Sequence, residues 1–385
     1  MLRLIAMLIA LFFLPLTATA QSRWQPELRV GLFSSSTVEL KFSLPIAFDD
    51  LTVNADTPIT ISIVDHKIKI GDRIINVDSV ELRPKDDALI REMHVDINGQ
   101  RYPGTVKLML KNDALTVINL TTTDEYLRGV IPNEMPTSWN AEALKAQTIA
   151  ARTFALQNRK RHAVDGYDLC SSTHCQVYKD LSSAVESADG AIDATFGEVL
   201  MFDGRLINAT FHSDSGGRTE NASDVWGKHV PYLISVDEFE IKTYPWSKKI
   251  PVADFVKALG RDIGELKEIK LSKLEIGKGA EDRSSSGRVK QVLIVGSKDK
   301  MQIKGSDMRS KFKLMSTLFD ARIEGNEIVI NGYGFGHGVG MSQYGAKDYA
   351  DNGVGYVDIL KHYYQGVEIK KLYGFLPPWK KTSEE

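Results

Sequence analysis

Between residue 27 and about residue 119, apolar and polar positions alternate with a period of two in short runs at 28–32, 38–42, 59–63, 106–110 and 115–119. Successive strand side chains point to opposite faces, so this alternation predicts antiparallel strands with one buried face. Turn residues at 54–58 and Asn98-Gly99 separate the runs. The period then changes. Ala141, Leu144, Ala151 and Ala155 recur at steps of three, four or seven, which predicts a helix ending near Gln157. Ser138 or Asn140 can cap its first turn, and Glu142 complements the positive end of its dipole. So many alanines predict close packing on several sides. Just before this helix, residues 126–136 read as an extended run reaching a turn held by Pro132 and Pro136, with Glu134 between the two prolines.

The second half mixes both periods. A short helix at 252–259 precedes a strand at 269–276, a polar loop at 283–288, strands at 289–295 and 301–304, a helical turn at 306–311 and a strand at 327–330. Arg288 and Arg309 in this stretch read as structural ion-pair partners. A helix at 343–352 and an apolar segment at 359–364 close the pattern. The expected fold is α+β, with a β-rich core, a central Ala-rich helix and a second, smaller mixed α/β lobe at about 247–330. The expected organisation is a leader at 1–20, a β-rich region at 21–100, a main domain at 101–375 and a flexible polar tail at 376–385.

Composition narrows the class. With 385 residues, 43% hydrophobic and 25% charged, the chain can bury a sizeable core. Its net charge of −2 does not point to a nucleic-acid partner. Arg3, an apolar run to Leu16 and Ala18-Thr19-Ala20 have the layout of a cleaved secretory leader, and the apolar run is shorter than the ~20 residues a spanning helix needs. The expected location is therefore outside the cytoplasm, in the periplasm or the cell envelope, with no stable membrane span after cleavage.

Four groups of residues carry candidate chemistry. Glu134 is one acid in a strongly structured motif. Lys145 and Arg152 lie seven residues apart on the Ala-rich helix and share a face, either as surface charges or as cations turned towards a cleft. Cys170 and Cys175, with His174 adjoining, form either a small disulfide loop or part of a metal site, and His162 completes a Cys₂His₂ set suited to structural zinc. Finally, Ser213-Asp214-Ser215-Gly216-Gly217 and the glycine-dense run at 332–346 let backbone approach a ligand closely. A serine protease is excluded because only 41 residues separate His174 from Ser215, too few for the double-barrel fold that such a triad needs. The glycine run is not a phosphate loop, since the Lys-Ser/Thr ending is absent.

Glu134-Met135-Pro136, Ser138-Trp139, the stretch from Glu142 to Gln147 and Ala150-Ala151-Arg152-Thr153 resemble the signature of the SpoIID/LytB family. The resemblance continues through Ser215-Gly216-Gly217, Val225-Trp226-Gly227 and Ser286-Gly287-Arg288. It matches every position from Gly336 to Ala346. It implies a lytic transglycosylase acting on peptidoglycan glycan strands, with Glu134 as acid and then base, and no cofactor for the chemistry. The glycan would be stripped of peptide by an amidase, an implied functional partner. Lys145 and Arg152 would hold its lactyl carboxylate or acetamido oxygens. Ser215, Gly216, Gly217, His337 and Gln343 would wall the cleft. Some relatives carry zinc in the segment of Cys170, His174 and Cys175. The family also contains amidase enhancers, so a non-catalytic, peptidoglycan-binding role is the alternative.

Overall fold

The computed structural model describes residues 25–49, 51–86, 89, 92–239 and 244–373. The leader and the tail expected at 376–385 lie outside these residues. Eight helices are described: α1 Thr123–Glu134, α2 Ala141–Gln157, α3 Glu186–Ala194, α4 Ala222–Trp226, α5 Val252–Leu259, α6 Gly305–Lys311, α7 Gln343–Asp351 and α8 Tyr356–Tyr363. The fold is α+β with a β-rich core, as the alternating periods predict.

Two sheets open the chain. One has seven strands, running in the order Leu169–Cys170, Glu27–Ser35, Ala114–Thr122, Thr105–Lys111, Ser79–Pro84, Ile46–Phe48 and Leu51–Val53. The other has six and contains Thr37–Phe42, whose Val38, Leu40 and Phe42 are buried while Thr37 and Glu39 are exposed. Both sheets contribute to one large hydrophobic core. Glu27–Ser35 pairs with Ala114–Thr122, so the seven-stranded sheet runs straight across residue 100. The division expected there is not a break in the structure.

Helix α2 crosses the middle of this core. Asn140 caps it by accepting from the Glu142 amide at 2.9 Å. Neighbouring helices α1, α3, α7 and α8 surround it. Ala143, Ala146, Ala150, Ala151 and Ala155 are all fully buried, because a methyl group is all that fits where helices approach so closely. This crowding also fixes Arg152, which is 0% exposed. Its Nε donates to Asp124 Oδ1 at 2.8 Å, and its Nη atoms reach Thr195 Oγ1 and the carbonyls of Ile192 and Glu198. Tyr373 adds a second donor to Asp124 Oδ1 at 2.7 Å. Arg152 therefore ties α2 to α1, α3 and the C-terminal segment, and does not turn to a cleft.

Residues 126–134 are helical and not extended. Tyr126, Leu127, Val130 and Ile131 form the buried stripe of α1, a spacing masked in the sequence by Pro132. Pro132 removes only one helical hydrogen bond near the end of the helix, which still closes with Met135 N donating to Ile131 O at 3.1 Å.

A second hydrophobic core occupies the smaller lobe. The strands Pro245–Pro251, Glu327–Tyr333 and Phe319–Glu324 form one sheet, and Leu266–Lys270, Gln291–Gly296 and Lys300–Lys304 form another. They bury Ile250, Val292, Ile294, Ile328 and Ile330 with α5 and α6. Phe255 and Phe312 stack at 4.7 Å within it.

Removing one partner of a buried ion pair leaves the other charge uncompensated, at a cost of about 3–5 kcal/mol. Asp124→Ala should therefore lower unfolding stability by roughly that amount in urea denaturation, because Arg152 would stay buried without its carboxylate. A loss below about 1 kcal/mol would mean that Arg152 is not held this way.

Candidate functional site

Glu134 is the last residue of α1 and opens into a cavity of about 530 Å³. Its position depends on residues 175–179, which pack along α1. Gln176 accepts from the Tyr126 hydroxyl at 3.1 Å and donates to the Ala151 carbonyl at 3.3 Å. Tyr178 donates to Asn119 Oδ1 at 2.7 Å, and Lys179 N donates to Gly129 O at 3.1 Å. Gly129 makes this crossing possible, since a Cβ there would collide with the Lys179 carbonyl and the Tyr178 ring. Held from both sides, Val177 aims its N–H at Glu134 Oε1, at 2.7 Å. Burial pushes the Glu134 carboxyl above its ordinary range, and the Val177 hydrogen bond offsets only part of that shift.

Two distant blocks form the opposite wall. The Ser/Gly turn and the glycine-dense run lie side by side, joined by hydrogen bonds between Asp214 and Phe335 at 3.0 and 2.8 Å and from Glu220 N to Gly338 O at 2.7 Å. Their side chains facing the cavity are His212, Ser213, Phe335 and His337, with Gln343 at the start of α7. Trp226 and Phe335 are 47% and 53% exposed, leaving two large rings against open solvent. Arg309 of α6 reaches the cavity from the smaller lobe, so the cleft lies between the two cores.

Among the described residues that line this cleft, Glu134 is the only carboxylate. Two of the lining histidines, His212 and His337, are held below their ordinary range. His337 is pushed down to about 4 by burial and by the charges of Arg288 and Arg309. His212 lies well below its usual value through burial, then His337 and Arg288. His212 Nδ1 donates to Val339 O at 3.2 Å, which leaves its buried Nε2 as an acceptor without a partner among the described residues.

The expected site residues do not all converge. His337 and Gln343 line the cleft with Glu134. Lys145 does not: it pairs with Glu142 at 2.7 Å and lies over the Tyr356 ring on the side of α2 that faces α8. Arg152 is structural, as described above. Ser215, Gly216 and Gly217 are buried behind the wall they were expected to form. Ser215 donates from its backbone to Ser342 Oγ at 3.3 Å, and its carbonyl accepts from Arg288 at 2.6 Å. Its hydroxyl is bound to the buried Glu238, which also accepts from Tyr363. Sequence reasoning passed over His212, although it adjoins Ser213, and read Arg309 as a structural ion-pair residue, whereas it lines the cleft and has no ion-pair partner among the described residues.

Beside the cleft, His162, Cys170, His174 and Cys175 place four ligand atoms within 4.8 Å of one another. The two thiols are not joined. Cys170 Sγ lies 3.6 Å from His174 Nδ1, and Cys175 Sγ lies 3.6 Å from His162 Nε2. A tetrahedral zinc with ordinary bond lengths sets sulfur and nitrogen about 3.6 Å apart. His162 Nδ1 is 3.3 Å from Asp165 Oδ2, the outer contact that leaves Nε2 free to bind a metal. Burial pushes both thiols up. For Cys170, hydrogen bonds from Ser172, His174 and Cys175 outweigh it and bring the thiol down to about 6, whereas Cys175 rises to about 11. The donor set and its spacing fit zinc.

A family profile described as Stage II sporulation protein matches residues 111–202, and one for a domain of unknown function matches residues 220–340. Stage II sporulation protein D of Bacillus amyloliquefaciens is 36% identical over 282 residues, covering 66% of this chain and 75% of the relative. The chain belongs to the SpoIID family. The Bacillus subtilis Stage II sporulation protein D is 34% identical over 277 residues, covering 66% of this chain and 76% of its own length. A Bacillus subtilis protein named Amidase enhancer is 28% identical over 356 residues, covering 79% of this chain and 50% of its own. The SpoIID profile spans α1, α2 and the Cys/His cluster, while Gly336–Ala346 falls outside it. No helix among the described residues is long and apolar enough to cross a membrane.

A raised carboxyl titration makes the ionised form the costly one in the folded state. Stability from protonated Glu134 is therefore present at low pH and lost as pH rises through the folded value. Glu134→Gln keeps an acceptor for Val177 and removes the charge. Its melting temperature should exceed the parent's at about pH 8, with the gain vanishing near pH 4. An equal gain at both pH values would contradict the burial of a titrating carboxyl.

Proposed function

We propose that this protein is a peptidoglycan lytic transglycosylase that cleaves the bond between N-acetylmuramic acid and N-acetylglucosamine. The observation that carries this reading is the single carboxylate in the cleft, raised by burial and fixed by Val177. Hydrolytic glycosidases ordinarily use two carboxyl groups, one as acid and one as base or nucleophile. One suffices when the sugar supplies its own nucleophile. Protonated Glu134 donates to the glycosidic oxygen as the bond to the muramic C1 breaks. The C6 hydroxyl of the same sugar then bonds to C1, and its proton passes to the Glu134 carboxylate, restoring the acid. The product carries a 1,6-anhydro ring, and no water is consumed.

The rest of the cleft suits a sugar. Trp226 and Phe335 offer apolar faces to pyranose rings. His212 Nε2 offers an acceptor for a sugar hydroxyl, and Gln343 can both donate and accept. The substrate would be stripped of peptide by an amidase working with this protein in the cell envelope, which requires export by the N-terminal leader. Similarity to a protein named Amidase enhancer favours a second reading, in which the chain binds peptidoglycan and stimulates an amidase without cleaving.

Purified protein incubated with amidase-treated peptidoglycan should release anhydro-muramyl fragments by mass spectrometry, and Glu134→Gln should reduce the rate roughly a hundredfold or more. Binding to strands without fragments in the parent would favour the enhancer reading. Reducing ends in place of anhydro ends would mean a hydrolase.

The Cys/His cluster is proposed to hold a structural zinc through Cys170, Cys175, His162 and His174. When bound, the metal would cross-link residues 162–175 and so steady the segment that presents Val177. Elemental analysis of the native protein should find about one zinc per chain, and the double variant Cys170→Ser/Cys175→Ser should lose it and melt earlier. Metal-free protein with a mass two hydrogens lower would instead show a disulfide.

A further inference from the structure

The wall of the cleft opposite Glu134 carries two buried polar atoms that the chain leaves unpaired. Thr210 and His212 both line the cavity, at 9% and 5% exposure. Thr210 Oγ1 and His212 Nε2 have no hydrogen-bond partner among the described residues. Buried polar groups are nearly always paired, so two orphans on one wall call for a ligand that pairs them.

The glycine-dense run holds both side chains in place. Phe211–His212 pairs in parallel with Met341–Ser342, and the Thr210 carbonyl accepts from Met341 N at 3.2 Å and from the Tyr364 hydroxyl at 2.8 Å. Gly340 has φ +73°, and a Cβ there would collide with that carbonyl. Gly336 has φ +117°, and a Cβ there would lie 2.7 Å from His212 Cβ. Between the two glycines, Val339 fixes both histidine rings. Its carbonyl accepts from His212 Nδ1 at 3.2 Å, and its N–H donates to His337 Nδ1 at 3.0 Å. His212 therefore presents a bare lone pair on Nε2 and cannot turn it away without losing Val339.

The chemistry of these atoms selects the partner. Nε2 accepts and does not donate, so an anion has nothing to bond there. A cation is disfavoured by the charges of Arg288 and Arg309, which act on His212. What remains is a neutral O–H or N–H. An N–H would satisfy Nε2 alone, whereas a hydroxyl donates to Nε2 while accepting from Thr210. Within a glycan strand, muramic acid has C1 and C4 in glycosidic bonds, an acetamido group on C2 and a lactyl ether on C3. Its one free hydroxyl is at C6. We propose that Thr210 and His212 form a clamp for the C6 hydroxyl of the muramic acid seated beside Glu134, with Thr210 donating to its oxygen and His212 Nε2 accepting its hydrogen. The inference rests on the glycan reading of the cleft.

The clamp holds the hydroxyl until Glu134 can take its proton. Before cleavage Oε1 accepts from Val177, so the acidic proton sits on Oε2 and points to the glycosidic oxygen. The C6 hydroxyl then needs another acceptor, which His212 supplies. As the bond from C1 breaks, the departing oxygen keeps the electron pair and takes the Oε2 proton. The C6 oxygen bonds to C1, and its own proton moves to Oε2. His212 gives up a hydrogen bond and gains no proton, and Glu134 is restored.

The test is binding by calorimetry in the Glu134→Gln background, so that no strand is cut. Glycan strands with a free muramic C6 hydroxyl are compared with the same strands acetylated at that oxygen. Acetylation should weaken binding roughly tenfold or more, because it removes the donor and leaves Nε2 and Thr210 unpaired. Thr210→Val keeps the shape of the side chain. Adding it should weaken binding of the free strand roughly fivefold, the range of one neutral hydrogen bond, and narrow the preference. His212→Phe should abolish the preference, and Thr210→Val carries the test if that variant fails to fold. Equal affinity for the two strands, a preference unchanged by Thr210→Val, or no binding of either strand would overturn the clamp. Anhydro products from the parent without a preference would sink the clamp and leave the transglycosylase reading standing, whereas a preference without cleavage by the parent would do the reverse.

Discussion

The hydrogen bond from Val177 to Glu134 is the constraint on which the cleft depends. A carboxyl group at the end of a helix would ordinarily swing into solvent and titrate as a free acid. Here residues 175–179 are pinned to α1, to α2 and to the strand carrying Asn119, and they close over the helix at Gly129. The segment thus fixes one oxygen of Glu134 while its packing shields the carboxyl in part from water. The two effects oppose each other, and burial prevails. The Cys/His cluster ends two residues before Val177, so whatever fixes Cys175 also fixes the donor to the acid.

The electrostatic layout of the cleft follows from the same burial. His212 and His337 are pushed well below the ordinary histidine range by burial first, and then by the charges of Arg288 and Arg309 nearby. The cleft therefore sets one acid among neutral donors and acceptors and two exposed aromatic rings, with Arg161 and Arg309 also on its walls.

Much of this was legible in the sequence, and the failures have identifiable causes. The period-two runs gave strands close to those observed, and the Ala-rich segment gave α2 with its Asn140 cap. Glu134, His337 and Gln343 are brought to one cavity from positions 209 residues apart at the extremes. Helix α1 was missed because Pro132 reads as a breaker, yet near a helix end it removes only one hydrogen bond. Arg152 shares a helix face with Lys145, but packing is set by neighbours in space: α3 and the strand Glu198–Phe202 bury one end of that face and leave the other half open. Ser215 and the two glycines carry a strong motif whose role is to be buried. Arg309 reads in the sequence only as an ion-pair residue, since its place at the cleft comes from a cavity formed by two lobes.

The account stands or falls on a single buried acid. Carbon-13 labelling of glutamate side chains, with the Glu134 resonance assigned by its absence in Glu134→Gln, allows that carboxyl to be titrated directly. The account predicts a midpoint above the ordinary 4.5 of a glutamate. A midpoint at or below that value would mean that the Val177 hydrogen bond outweighs burial, and that Glu134 is not held as the proton donor this mechanism requires.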